Sequence, residues 1–311
     1  MTEYHNPPTV KYFKDFRRVE PIDINSSRLS DFKTCPTLYF FKDVLGYKPR
    51  YTPVYLTWGG TIHKFRETLE VLYDKGEYPL PAIVGLAVIE AMKYWGDTPD
   101  PPATDRKFGF MTKARLSDVM MHIGKLWIQE KDQGDIKVVS AEKSFIIQLP
   151  DGSWSSGTPD QWVRWKGKLW GRDFKHTTKD LKYFKRTVFP NDQFVRYTYA
   201  EQKLHGERIS GQIIDIIHTT RDVGPISHRE LIAFTPEVLD KWEEEQKFWV
   251  NALSYARDND NYPQSEKTCS FCPFHEVCQS QTQAGKEYVL RTKYKFEPWD
   301  NIREGTLLLG G

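Results

Sequence analysis

Residues 137 to 234 hold five strand-like segments and a single helix-like one, and this alternation limits the chain's folds more than any other feature. "IKVVSAEKSFIIQL" reads as a strand, and "DGS" supplies a turn. "GTPDQWVRW" and "GKLWGRDFKH" follow as two further strands joined around Lys166 and Gly167. "NDQFVRYTYAEQKLHG" reads as a helix closed by Gly206. "ISGQIIDIIHTT" and "RELIAF" complete the set. The pattern predicts an α/β domain with a central sheet flanked by helices.

The segments on either side are helical. "SSRLSDFKTCPTLYFFKDVLGY" starts with helix-start residues Ser26 and Ser27, and Pro36 fits the first turn of a helix beginning near Cys35. A helix is expected from about Gly60 to Gly76, with others over 80–95 and 112–131. The stretch "TPDPPATDRKFG" between the last two is a loop. Thr235 and Pro236 open a long amphipathic helix. Residues 1–24 are polar and read as an arm. Residues 25–282 are expected to form one domain, and 283–311 form a basic, aromatic tail with no clear pattern.

Within "GRDFKHTTKD", an acid and a base stand two residues apart. Side chains alternate across a strand, so Asp173 and Lys175 share one face and Phe174 takes the other. Asp160 lies on the preceding strand, and hairpin pairing would bring it near Asp173. Two adjacent carboxylates repel unless a cation lies between them. Mg²⁺ takes one or two carboxylates, waters and a phosphate, the arrangement that phosphodiester hydrolysis needs. Taken alone, D-x-K also arises by chance, as a structural ion pair on a hairpin.

"GTPD", then twelve residues, then "DFK" resembles the PD-(D/E)XK nuclease superfamily. The resemblance implies a restriction-endonuclease-like core in which Asp160 and Asp173 bind Mg²⁺ or Mn²⁺ and Lys175 is catalytic. It makes the Phe174 carbonyl a further ligand and gives Glu142, on the strand before, a supporting role. The RecB-like branch adds a helical Q-x-x-x-Y element, matched by Gln193 and Tyr197, and a metal-binding histidine on an N-terminal helix, matched by His63. The family often continues D-x-K with a Thr-Gly segment. Here "HTTKD" follows, which leaves His176 unexplained.

Four cysteines are present: Cys35, Cys269, Cys272 and Cys278. Three crowded together in a chain without a secretory signal read as metal ligands rather than disulfides. Four thiolates suit Zn²⁺ or a 4Fe–4S cluster equally by ligand count, and a zinc site could use His275 in place of Cys35. The pattern of an N-terminal Cys-Pro and a C-terminal C-x₂-C-x₅-C resembles the iron–sulfur branch of RecB-like nucleases, which includes AddB-type recombination nucleases and CRISPR-associated adaptation nucleases. That resemblance implies a structural 4Fe–4S cluster closing the two ends of the domain.

Composition narrows the partners. With 39% hydrophobic residues the chain can build a core, and a net charge of +2 does not by itself announce nucleic acid. Between Arg164 and Arg186, however, nine Lys or Arg face two Asp, interleaved with Trp165, Trp170, Tyr183 and Phe184. Such a stripe suits a phosphate backbone and unstacked bases. No apolar run is long enough for a membrane span, so a cytoplasmic protein is expected. No phosphate-loop motif appears. The reading is therefore a metal-dependent deoxyribonuclease, an exonuclease on single-stranded DNA or duplex ends. Unwinding would fall to a helicase, recombination or CRISPR partner protein.

Overall fold

The computed structural model describes residues 23–189, 191–298 and 307–309. The arm expected over 1–24 lies outside them except for its last two residues. In chain order the elements are β1 (Asp23–Ile24), α1 (Ser26–Thr34), α2 (Pro36–Tyr39), a π-helical turn (Phe40–Val44), β2 (Tyr47–Pro49), α3 (Val54–Lys75), α4 (Leu80–Trp95) and α5 (Lys113–Gln133). Then come β3 (Ile136–Ala141), β4 (Phe145–Gln148), β5 (Trp154–Gly157), β6 (Gln161–Trp165), β7 (Lys168–Thr177), α6 (Leu181–Lys185), α7 (Asp192–His205), β8 (Gln212–His218) and β9 (Ile226–Ile232). The last part holds α8 (Pro236–Asp258), a 3₁₀ turn (Glu266–Phe271), α9 (His275–Gln279), α10 (Gln283–Lys293), β10 (Tyr294–Phe296) and β11 (Leu307–Leu309).

Where a single domain over 25–282 was expected, the chain divides into two compact units, both discontinuous. One, the sheet unit, comprises residues 52–143 and 158–236. Its five strands run in the order β3-β6-β7-β8-β9. All neighbours are antiparallel except β7 and β8, which are parallel and are connected through α7. Every residue of β8 from Gln212 to Ile217 is buried, as befits a strand covered on both faces. β9 holds no buried residue and forms an edge. The β6–β7 turn is Lys166–Gly167, with φ of 51° and 75°. Positive φ at both positions gives a two-residue hairpin whose twist matches the strands.

α3, α4 and α5 supply one core of this unit. Trp58, Phe65, Leu69, Val84, Leu116 and Ile123 pack there with Ile217 of β8. α3 starts at Val54, before the expected Gly60, and runs through Gly59 and Gly60 despite their low propensity. Packing outweighs that cost. A Cβ on Gly60 would lie 2.5 Å from the Tyr94 hydroxyl, so the glycine lets α4 approach closely.

The expected strand "IKVVSAEKSFIIQL" is two strands in two different sheets. It breaks at Glu142, whose φ is 51°. β3 pairs with β6, whereas β4 pairs with β5.

The other unit comprises, among the described residues, 23–51, 144–157, 237–298 and 307–309. Its four-stranded sheet has the order β1-β5-β4-β11, and a two-stranded ribbon joins β10 to β2. The expected patternless tail contains α10, capped by the Thr282 hydroxyl, and β10. Leu290 and Tyr294 bury against Phe41, Leu45, Phe274 and Val277. Among the described residues no helix is long and apolar enough to cross a membrane.

Candidate active site

The β6–β7 pairing ends at Gln161 opposite Arg172. Beyond that point β7 runs on beside β8 alone as far as Thr177. The side of β7 vacated by β6 is filled by the Asp160 carboxylate. The Phe174 backbone N–H donates to Asp160 Oδ2 at 2.7 Å. Because the N–H and C=O of one strand residue leave on the same side, the Phe174 carbonyl is turned that way too.

Asp173 and Lys175 share the face covered by α7. Lys175 Nζ lies 2.7 Å from Asp173 Oδ2. Gln193 ties the pair to the helix. Its Nε2 donates to Asp173 Oδ1 at 3.1 Å, and its Oε1 accepts from Lys175 Nζ at 3.2 Å. One turn on, Tyr197 accepts from Gln193 at 3.3 Å and donates to the Thr158 carbonyl at 3.1 Å. Gln193 and Tyr197 therefore fix both the D-x-K strand and the segment leading into Asp160. The helix that carries them is capped by Asn191 and closed by Gly206 at φ 63°.

His63, one turn before Arg66 on α3, places Nδ1 3.5 Å from Asp160 Oδ1. Glu142 completes a group: ligand atoms of His63, Glu142 and Asp160 all lie within 4.8 Å of one another. Glu142 stands on the left-handed turn after β3 rather than on the strand, and its backbone N–H donates to the Asp160 carbonyl at 3.0 Å. Asp173 is not a member of that trio, although it is close enough to feel the charges of Asp160 and His63.

Burial would raise the Asp160 carboxyl, but the His63 hydrogen bond and charge, Lys175 and the Phe174 N–H together hold it below its usual range. Asp173 goes the other way. Burial pushes it up to about 6, Lys175 opposes this and Asp160 adds to it. Lys175 is raised because Asp173 and Asp160 outweigh its burial. His63 is raised because the bond to Asp160 outweighs its burial. Nitrogen and oxygen donors gathered around a buried carboxylate suit a hard or borderline divalent cation. The donor set thus fits a divalent cation, and Lys175 is a positive charge facing Asp173.

The basic stripe from Arg164 to Arg186 does not form one surface. Arg172 is buried, and its guanidinium bonds Glu130 at 2.7 Å through each Nη and Asp215 at 2.7 Å through Nε. Arg164 pairs with Glu207, and Lys185 with Glu230. Lys166 and Lys168 sit at one end of the ten-residue β7, while Lys179, Lys182 and Arg186 follow its other end. At about 3.3 Å per residue the two groups are separated by roughly the strand's length, near 30 Å. Tyr183 among the second group is exposed.

The four cysteines belong to the other unit. Cys35 is the extended residue before Pro36, Cys269 and Cys272 flank the end of the 3₁₀ turn, and Cys278 is on α9. The Ser265 N–H donates to Cys35 Sγ at 3.4 Å, and Cys269 donates to the Ser265 carbonyl at 3.3 Å. Burial raises the Cys272 thiol, with Cys35 and Cys269 adding to it. Burial, then the neighbouring Cys272, Cys35 and Cys269, push Cys278 up to about 11. The four thiols therefore lie near enough to feel one another's charge, and no disulfide joins them.

Sequence reasoning missed Thr158 and the Arg172–Asp215–Glu130 network. The network's signal was weak: Arg172 precedes Asp173 in a run of basic residues, and its partners are 42 and 43 residues away.

A family model for the PD-(D/E)XK nuclease superfamily matches residues 23–279. No curated protein matches the chain. Among solved structures, one described as a "Putative exonuclease" from Eubacterium rectale is 11% identical, with 90% of this chain and 96% of that chain covered and a TM-score of 0.44. Another, described as SSO0001, is also 11% identical, with coverages of 87% and 95% and a TM-score of 0.32.

Proposed function

The chain belongs to the PD-(D/E)XK nuclease superfamily, and from that premise we propose that the group around Asp160 hydrolyses DNA phosphodiester bonds, acting on single strands or open ends. The observation that carries the reading is the trio of His63, Glu142 and Asp160 beside the Asp173–Lys175 pair. His63, Asp160 and Asp173 would hold Mg²⁺ or Mn²⁺ with the Phe174 carbonyl, and Glu142 supports them. Such a cation polarises a phosphate and makes water a nucleophile near neutral pH. Lys175 then turns its ammonium group toward negative charge developing on the phosphate oxygens. Gln193 holds Lys175 and Asp173 in one register, and Tyr197 anchors the backbone before Asp160. The exposed Lys179, Lys182 and Tyr183 supply phosphate and base contacts past the carboxyl end of β7.

The four neighbouring cysteines are proposed to carry a 4Fe–4S cluster. Soft sulfur donors in a half-buried apolar setting suit zinc or iron–sulfur chemistry. By ligand count four thiols suit one zinc ion or a 4Fe–4S cluster equally, and the resemblance of their spacing to the iron–sulfur branch supports the cluster. All four residues lie in one unit, where β2 and β10 already pair its first and last segments. The cluster would reinforce that closure.

The test is degradation of end-labelled single- and double-stranded DNA with Mn²⁺, Mg²⁺ or EDTA, using anaerobically purified protein. Metal-dependent loss of the label from single strands or ends is expected, from a brown preparation. Tight DNA binding without cleavage would make the chain an end-binding subunit, and a colourless preparation with stoichiometric zinc would replace the cluster.

A further inference from the structure

The face of the sheet opposite Asp173 and Lys175 carries a second set of charged groups that the reaction does not use. A cavity of about 440 Å³ lies between α3, α5 and the sheet. That is within the range of about 300–1,000 Å³ typical of small-molecule sites. Its walls include Leu69, Ile123, Trp127, Ile136, Trp165 and Ile216.

Apart from the exposed Asp135, the charged groups that line it are matched with one exception. Arg172 and Arg229 are both paired with Glu130 and Asp215. Glu70 accepts from Lys131 and from the Trp127 indole. Arg66 is the remainder. Its guanidinium lies over the Phe174 ring, 3.7 Å from the centroid, and its Nε is buried without a hydrogen bond. Among the described residues no carboxylate comes within 4.0 Å of it. Burial pulls it down to about 10, and the charges of Asp215, Asp160 and Glu130 only partly offset this. An unpaired guanidinium stacked on an aromatic ring beside an apolar cavity is a planar anion acceptor with unused donors.

We propose that this cavity binds a small organic anion with a flat aromatic body, its anionic group on Arg66 and its ring against the Trp127 and Trp165 side. A nucleoside monophosphate has that chemistry and that size. Naming it rests on the nuclease reading, because it would be the product released across the same strand, whereas the anion site itself does not. Phe174 belongs to both places: its ring stacks under Arg66, and its backbone N–H holds Asp160. A ligand on Arg66 would therefore report on the strand that carries the reaction.

The experiment is a titration of the intact protein with deoxyadenosine monophosphate in EDTA, followed by tryptophan fluorescence and calorimetry. EDTA removes divalent ions, so the result does not depend on hydrolysis. Saturable binding is expected, weakened about tenfold or more by Arg66→Gln, the loss typical of a charged hydrogen bond. Leu126→Trp, at the exposed part of the lining, should block entry without removing any charge and give a similar loss. No binding to the wild type would overturn the proposal. So would binding that both variants retain, or binding lost instead in Asp160→Asn, which would place the ligand in the reaction site. A cleavage assay that fails while this binding succeeds would refute the nuclease reading and leave the anion site standing.

Discussion

Replacing Arg172 with methionine keeps the length of the side chain and removes its charge. Arg172 makes bonds of 2.7 Å to both oxygens of Glu130 and to Asp215, and one of 3.2 Å to Gln161. After the substitution two carboxylates remain below the surface, with Arg229 still paired to both and Arg66 close enough for its charge to reach them. Breaking a buried ion pair from one side costs about 3–5 kcal/mol, since the abandoned charge keeps its desolvation penalty. With a urea slope of about 3 kcal/mol per molar, the unfolding midpoint should fall by about 1 M or more. Equilibrium urea unfolding followed by circular dichroism reads this directly. Arg172→Met combined with Asp215→Asn should recover part of the loss, because one orphaned charge is gone. A midpoint within about 0.2 M of wild type, together with weakened DNA binding, would refute the reasoning and return Arg172 to the DNA-contacting stripe.

Three further outcomes are expected. Glu201 is wholly buried, and burial raises its carboxyl well above the usual value, so the folded state holds a proton that the unfolded state releases above about pH 4.5. Stability should fall as pH rises through and beyond that value, and Glu201→Gln should flatten the decline in thermal midpoints measured from pH 5 to 8; an unchanged slope counts against it. Gly124→Ala places a Cβ 2.5 Å from Val84 Cγ1 between α4 and α5, so calorimetry should show a loss of about 1–3 kcal/mol that Val84→Ala largely restores. Lys179→Ala with Lys182→Ala should weaken single-stranded DNA binding and reduce the log–log salt slope by about 0.7 for each phosphate that is no longer neutralised, and an unchanged slope would remove this segment from the interface.

Much of the fold, and the way the candidate residues come together, could be read from the chain because local rules coincide with tertiary ones there. Alternation places Asp173 and Lys175 on one face, the i, i+4 spacing aligns Gln193 with Tyr197, and Gly206 ends their helix. The break at Glu142 was hidden because a non-glycine residue adopts positive φ inside an apolar run, which no propensity anticipates. The division into two units was hidden for the same reason, since β3 and β4 read as one strand. α10 carries charges around most of its surface, and only Val289 and Leu290 mark its inner side, so periodicity gave little signal. Arg172 looked like part of a basic stripe because its partners are distant in sequence.

Rates of cleavage of single-stranded DNA in Mn²⁺ by wild type, Asp173→Ala and Lys175→Ala, each checked for folding, test the assignment of the reaction most directly. The account predicts metal-dependent cleavage by the wild type and a loss of about a hundredfold or more in each variant. Cleavage that persists at the wild-type rate in Asp173→Ala would contradict it.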